Sequence, residues 1–106
     1  MDTNAGGVEG GVIIKPRPKN RQALADLNIT ALERLGKIRG LRVDDACQLL
    51  ESDYPEEAAS GRRLWVFGTK LKKAEVYVKI QFGEHNDAPI CISFHRAEHE
   101  LVYLFR

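Results

Sequence analysis

From Glu75 to Phe82 the chain alternates without a break: Val76, Val78, Ile80 and Phe82 fall on one side, Glu75, Tyr77, Lys79 and Gln81 on the other. A helix would scatter those apolar residues around its circumference, whereas a strand in a sheet with one covered face collects them. Ile90 to His95 alternates again, with Ile90, Ile92 and Phe94 set against Cys91, Ser93 and His95. If the two runs form a hairpin across Gly83 to Pro89, matching Phe82 to Ile90 puts Tyr77 opposite His95 and Lys79 opposite Ser93. A one-residue slip would turn one apolar set outward, so the register is limited to this pairing or shifts of two, barring a bulge. Leu64-Trp65-Val66-Phe67 is a third, compact strand candidate.

The earlier part of the chain has a helical period. After a Gly-rich leader at residues 1–11, expected to be flexible, Val12-Ile13-Ile14 suits a short strand that Pro16 and Pro18 bring to an end, since neither has an N–H to donate. Asn20 is an expected N-cap for a helix with Ala23, Leu24 and Leu27 on one stripe. Thr30-Ala31-Leu32-Glu33 fits a capping box, followed by Leu32, Leu35 and Ile38 at helical spacing and a stop at Gly40. Residues 41–51 are ambiguous, with Val43, Ala46, Cys47 and Leu50 spaced as on a helix, and 52–61 reads as a loop. Helices first and an antiparallel sheet afterwards indicate an α+β fold in which two or three N-terminal helices pack on the sheet's apolar face. A chain of 106 residues has room for one such core, which assigns 12–106 to a single domain.

Composition narrows the function classes. With 43% apolar and 29% charged residues the chain falls among soluble globular proteins, no apolar run is long enough to span a bilayer, and no export signal is apparent, so a cytoplasmic location without membrane contact is expected. Cys47 and Cys91 then read as reduced thiols. A net charge of +1 gives no global argument for nucleic acid. The basic residues are nevertheless grouped: Lys15, Arg17, Lys19 and Arg21 alternate through one stretch, Arg62 and Arg63 adjoin, and each group suits either phosphate binding or plain solvation.

The polar side of the proposed hairpin carries the most chemistry, since a phenol, an ammonium and an imidazole share it in Tyr77, Lys79 and His95. Cleavage of an RNA phosphodiester must deprotonate a 2′-hydroxyl, offset extra negative charge on the phosphate and protonate the departing 5′-oxygen, and these groups suit those tasks. The same residues are also ordinary on the solvated side of a one-sided sheet. Cys91, His95 and His99 recur every fourth residue, but on a strand such residues stand about 13 Å apart and cannot share one metal ion. No phosphate-binding Gly loop, nucleophile elbow or paired-carboxylate motif stands out.

Leu64-Trp65-Val66-Phe67-Gly68, Glu75-Val76-Tyr77-Val78-Lys79-Ile80 and Ile92-Ser93-Phe94-His95, in that order, resemble the C-terminal half of MqsR-family toxins, and Arg21-Gln22-Ala23-Leu24 looks like that family's first helix. The resemblance implies a RelE-like fold, ribosome-independent mRNA cleavage with no metal or other cofactor, and neutralisation by a cognate antitoxin. It also implies a catalytic Tyr77, and it puts His95 in the place of a family lysine after Ser-Phe. On this reading Tyr77, Lys79 and His95 are catalytic, and Lys15, Arg17, Lys19, Arg21, Arg62 and Arg63 contact the RNA substrate. The chain departs from the pattern where Val66 replaces a Gln after Trp65, where Asp53-Tyr54-Pro55 stands for Phe-Tyr-Lys, and where Arg96 to Arg106 extends past the family's usual end. The alternative is a non-catalytic RelE-like binding module acting as a regulatory partner. A DNA-binding regulator would need a basic recognition helix, for which residues 30–40 offer only Arg34, Lys37 and Arg39.

Overall fold

The alternation from Glu75 builds an interior strand of a mixed sheet. The computed structural model describes residues 8–9, 11–51, 63–82 and 88–106, so the loop expected at 52–61, Arg62 and residues 83–87 lie outside the described residues. In chain order the elements are β1 (Val8–Glu9), β2 (Val12–Ile14), α1 (Pro18–Leu27), α2 (Ala31–Arg39), a 3-10 turn (Val43–Asp45), β3 (Ala46–Glu51), β4 (Arg63–Leu71), β5 (Ala74–Gln81) and β6 (Ile90–Arg96). The sheet order is β1-β2-β6-β5-β4-β3. Every neighbouring pair is antiparallel except β2 with β6, which run parallel, so the fold is α+β but its sheet is mixed rather than antiparallel. The parallel pair arises because β2 returns to the last strand of the chain instead of starting a hairpin of its own. Val8 and Glu9 pair with Ile13 and Val12, so the end of the expected flexible leader belongs to the sheet.

One face of the sheet carries both helices. Val76, Val78, Ile80, Cys91 and Phe94 join Phe67, Val12 and Ile14 from the strands and Ala23, Leu27 and Ile38 from the helices in one buried cluster. The α2 capping box is present, with Thr30 Oγ1 accepting from the Glu33 N–H at 3.1 Å and Glu33 Oε1 from the Thr30 N–H at 2.9 Å. Only part of its expected stripe is buried: Ile38 and Leu35 face the sheet, while Leu32 is 76% exposed and the long stem of Arg34 is buried in its stead. Burying Arg34 also removes a cation from the surface a recognition helix would present.

The 41–51 segment is an edge strand after a single 3-10 turn, because pairing with β4 overrides its helical spacing. Phe82 follows the end of β5 and is 46% exposed, edge-on to Phe67, rather than buried with Val76, Val78 and Ile80. Cys47 and Cys91 are free thiols on strands three places apart in the sheet, roughly 14 Å, which is beyond disulfide reach. Among the described residues no helix is long and apolar enough to cross a membrane.

Tyr77 pairs with His95 and Lys79 with Ser93, but Ile80 pairs with Cys91 and Gln81 with Ile90, so a β-bulge at Ile92 shifts the register by one. The bulge puts Cys91 into the core and leaves Ile92 only half-buried, the reverse of what simple alternation predicts. It is held by Asn20, which is 1% exposed and lies inside α1 rather than at its N-cap. The helix instead starts at Pro18, whose missing N–H costs nothing in the first turn. Asn20 Nδ2 donates to the carbonyls of Lys15 (3.0 Å) and Ile92 (2.9 Å), and its Oδ1 accepts from the Phe94 N–H (2.9 Å). Its carboxamide thus acts as a peptide group that extends β2 along β6.

Asn20→Ala would strip the buried Phe94 N–H of its partner and weaken the hold on the Ile92 carbonyl. At about 1–3 kcal/mol for each unsatisfied group, the expected loss is roughly 2–4 kcal/mol in urea unfolding. An unchanged midpoint would show that the bulge is held in some other way.

Candidate functional site

The second face of the sheet, expected to lie open to solvent, is crossed by residues 97–106. After β6 the Ala97 N–H donates to the Glu75 carbonyl at 2.8 Å and the chain turns back over the strands. The Glu75 carboxylate accepts from the Leu101 N–H at 3.4 Å and from the Tyr103 hydroxyl at 2.9 Å. Further along, the Leu104 N–H donates to the Ala46 carbonyl at 2.9 Å, and Arg106 pairs with Asp45 at 2.9 Å while lying over the Tyr103 ring. Gly68, opposite Tyr77 in the register, makes this approach possible: a Cβ there would collide with the Tyr103 hydroxyl and come within 2.8 Å of Leu101 Cδ1.

Beside this segment lies a cleft of about 320 Å³, lined by Arg17, Tyr77, Lys79, Ser93, His95, Glu98, His99 and Leu101. The expected catalytic trio, Tyr77, Lys79 and His95, is therefore together on one wall, each residue half-buried. The Tyr77 and His95 rings stack at 5.2 Å between centroids and 16° between planes. His95 Nδ1 lies 2.9 Å from the Arg96 carbonyl; because a carbonyl only accepts, the tautomer that makes this bond carries its hydrogen on Nδ1 and leaves the Nε2 lone pair free. Burial pushes the Tyr77 hydroxyl up from its ordinary value; the Arg17 charge opposes that shift and Glu98 adds to it.

The basic stretch does not act as one surface. Arg17 enters the cleft from the start of α1, its guanidinium donating to Ser93 Oγ at 3.3 Å and to the Ile92 carbonyl at 3.4 Å. Lys19 reaches the rim through Glu98, at 2.7 Å, and by hydrogen bond first and charge second it holds the Glu98 carboxyl below the usual carboxylate range. Lys15, Arg21 and Arg63 are exposed and do not line the cleft, and Arg62 lies outside the described residues. Cys91 is in the core, on the other side of the sheet from His95, so the every-fourth-residue trio does not converge.

Sequence reasoning missed the roles of Ser93, Glu98 and His99 in this cleft. Ser93 was legible as the partner of Lys79; Glu98 and His99 were not, because nothing local predicts that 97–106 folds back onto Glu75.

Gly68→Ala should lift this segment. Chymotrypsin should cut faster at Leu101 and Tyr103, and overpacking should cost about 1–3 kcal/mol in thermal melts. Alkali should act in the same direction. Burial, and then the bond to Glu75, pushes Tyr103 up to about 12 from its ordinary 10.0. With the folded value the higher, the bond contributes fully below the unfolded value and is lost as pH climbs through the folded one. Tyr103→Phe should abolish that alkaline step in a proteolysis series.

Comparison with protein-family models, with curated proteins and with solved structures finds no match to this chain.

Proposed function

We propose that this chain is a metal-independent endoribonuclease with a RelE-like arrangement of its α+β fold, acting as the toxin of a toxin–antitoxin pair and silenced by a cognate antitoxin. The observation that carries the reading is the convergence, in one cleft, of the His95 imidazole, the Lys79 ammonium and the Arg17 guanidinium. RNA can be cut by its own 2′-hydroxyl. Once deprotonated, that oxygen attacks phosphorus, the bond to the 5′-oxygen breaks, and the products end in a 2′,3′-cyclic phosphate and a 5′-hydroxyl. His95 Nε2 supplies one proton transfer, the commonest task of an imidazole in acid–base catalysis. Lys79 and Arg17 meet the charge that builds on the phosphate oxygens, a task that fixed cations do best in a partly enclosed site. Tyr77, stacked on His95, fixes the plane of the ring and offers its hydroxyl and one edge to the RNA. Growth arrest and the antitoxin follow from the resemblance to MqsR-family toxins, and so does the RelE-like arrangement.

Purified protein incubated with a long RNA in EDTA should yield discrete cuts bearing cyclic phosphate ends. His95→Ala should slow single-turnover cleavage by on the order of 100-fold or more, while its melting curve shifts little. Lys79→Ala should weaken cleavage in low salt, with a difference from wild type that narrows as salt rises. Tyr77→Ala, which removes the stack, should be slower than Tyr77→Phe, which keeps it. Expression in a bacterium should deplete mRNA and stop growth, and co-expression of the adjacent antitoxin gene should restore it. RNA left intact in EDTA, with growth unaffected, would sink the nuclease reading in favour of a non-catalytic binding module.

A further inference from the structure

Cleavage requires two proton transfers, one from the 2′-hydroxyl and one to the 5′-oxygen, and because an in-line displacement puts these oxygens on opposite sides of the phosphorus, a single step needs a second group beside His95. Tyr77 is a poor second partner because burial makes its phenol hold the proton more tightly than usual, whereas effective acids and bases titrate near the working pH. Lysine and arginine side chains supply positive charge. Among the described residues lining the cleft two titratable side chains remain, Glu98 and His99. Glu98 is paired with Lys19 at 2.7 Å, which holds its carboxyl in the charged form and leaves it no proton to give, so the candidate for the second transfer is His99.

His99 is exposed but not loosely placed. It lies in the short turn between Ala97 and Leu101, and both ends of that turn are fastened to Glu75, one to its backbone carbonyl at 2.8 Å and the other to its carboxylate at 3.4 Å. Between them Glu98 is tied to Lys19 at 2.7 Å. The turn therefore places His99 at the edge of the cleft on the 97–106 side, in the same lining as His95. The charged and titratable groups around the two imidazoles are Tyr77 and Lys79 from β5, Arg17 and Lys19 from the start of α1, and Glu98 from the turn itself.

We propose that His99 is the general acid of the cleft, paired with His95 as general base across a bound RNA phosphodiester. The proposal rests on the nuclease reading and adds a catalytic residue to it. In the step, His95 Nε2 accepts the 2′-hydroxyl proton as the 2′-oxygen bonds to phosphorus. The bond from phosphorus to the 5′-oxygen breaks with its electron pair on that oxygen, which takes a proton from the His99 imidazolium. His95 is assigned the base role because its Nδ1 hydrogen is committed to the Arg96 carbonyl, leaving Nε2 as the acceptor.

The leaving group distinguishes an acid from a residue that merely shapes the cleft. A 5′-bridging phosphorothiolate at the mapped cut site departs as a thiolate and needs no proton. His99→Ala should slow cleavage of ordinary RNA by on the order of 100-fold or more and remove the alkaline limb of a bell-shaped rate profile. On the phosphorothiolate RNA the same variant should cut at close to the wild-type rate. His95→Ala should be slow on both substrates, and melting curves of both variants should match wild type. If His99→Ala cuts ordinary RNA as wild type does, or loses equally on the two substrates, His99 is not the acid and the nuclease reading stands without it. If wild-type protein cuts neither RNA, both fail together.

Discussion

The carboxamide of Asn20 sets the register on which both faces of this sheet depend. A β-bulge leaves backbone groups that the neighbouring strand cannot pair, and here β2 has already ended when β6 bulges at Ile92. A helical side chain takes over, donating to the Ile92 carbonyl and accepting from the Phe94 N–H from a fully buried position. On one side of the bulge Cys91 faces the helices; beyond it Phe94 does, and Ser93 and His95 emerge beside Lys79 and Tyr77. Arg17, three residues before Asn20, holds the same bulge from the other side of the sheet through Ile92 and Ser93. The first turn of α1 thus secures the core and delivers a cation to the cleft.

Glu75 plays the corresponding part for the other wall. Its backbone carbonyl and carboxylate fasten Ala97, Leu101 and Tyr103, converting a half-solvated sheet face into a recess. A flat polar strand surface would leave Tyr, Lys and His side chains free to move. Here Tyr77 is stacked, Ser93 is buried and Arg17 is hydrogen-bonded, so part of the rotamer entropy of this face is already given up in folding.

The features that sequence could supply are those encoded within a few residues. The alternation of Glu75 to Gln81 names the strand and its core face, the Thr30–Glu33 box names a helix start, and the apolar pattern pairs Tyr77 with His95 and Lys79 with Ser93. What stayed hidden depends on contacts far apart in the chain. Asn20 looks like a cap because its sheet partners are more than seventy residues away. β3 looks helical because only its pairing with β4 makes it a strand, and β2 lies parallel to β6 through a connection that includes every other strand but β1. Nothing in Ala97 to Arg106 signals a fold-back either, since its anchors are the carbonyl and the carboxylate of Glu75 on β5, one carbonyl on β3 and one Asp before β3.

Alternation puts Tyr77, Lys79 and His95 on one side of any such hairpin, whatever its purpose, so their coincidence alone says little. Arg17 and His99 belong to neither hairpin strand, and the polar face of a hairpin has no reason to recruit them. They reach the same recess by separate routes: Arg17 through the start of a helix fixed at the bulge, and His99 through a turn fastened at both ends to Glu75. A solvated face needs no such supports, because water satisfies its polar groups at little cost. Two independent attachments thus bring a guanidinium and a second imidazole into the lining of the cleft that holds the stacked His–Tyr pair, and neither follows from strand alternation.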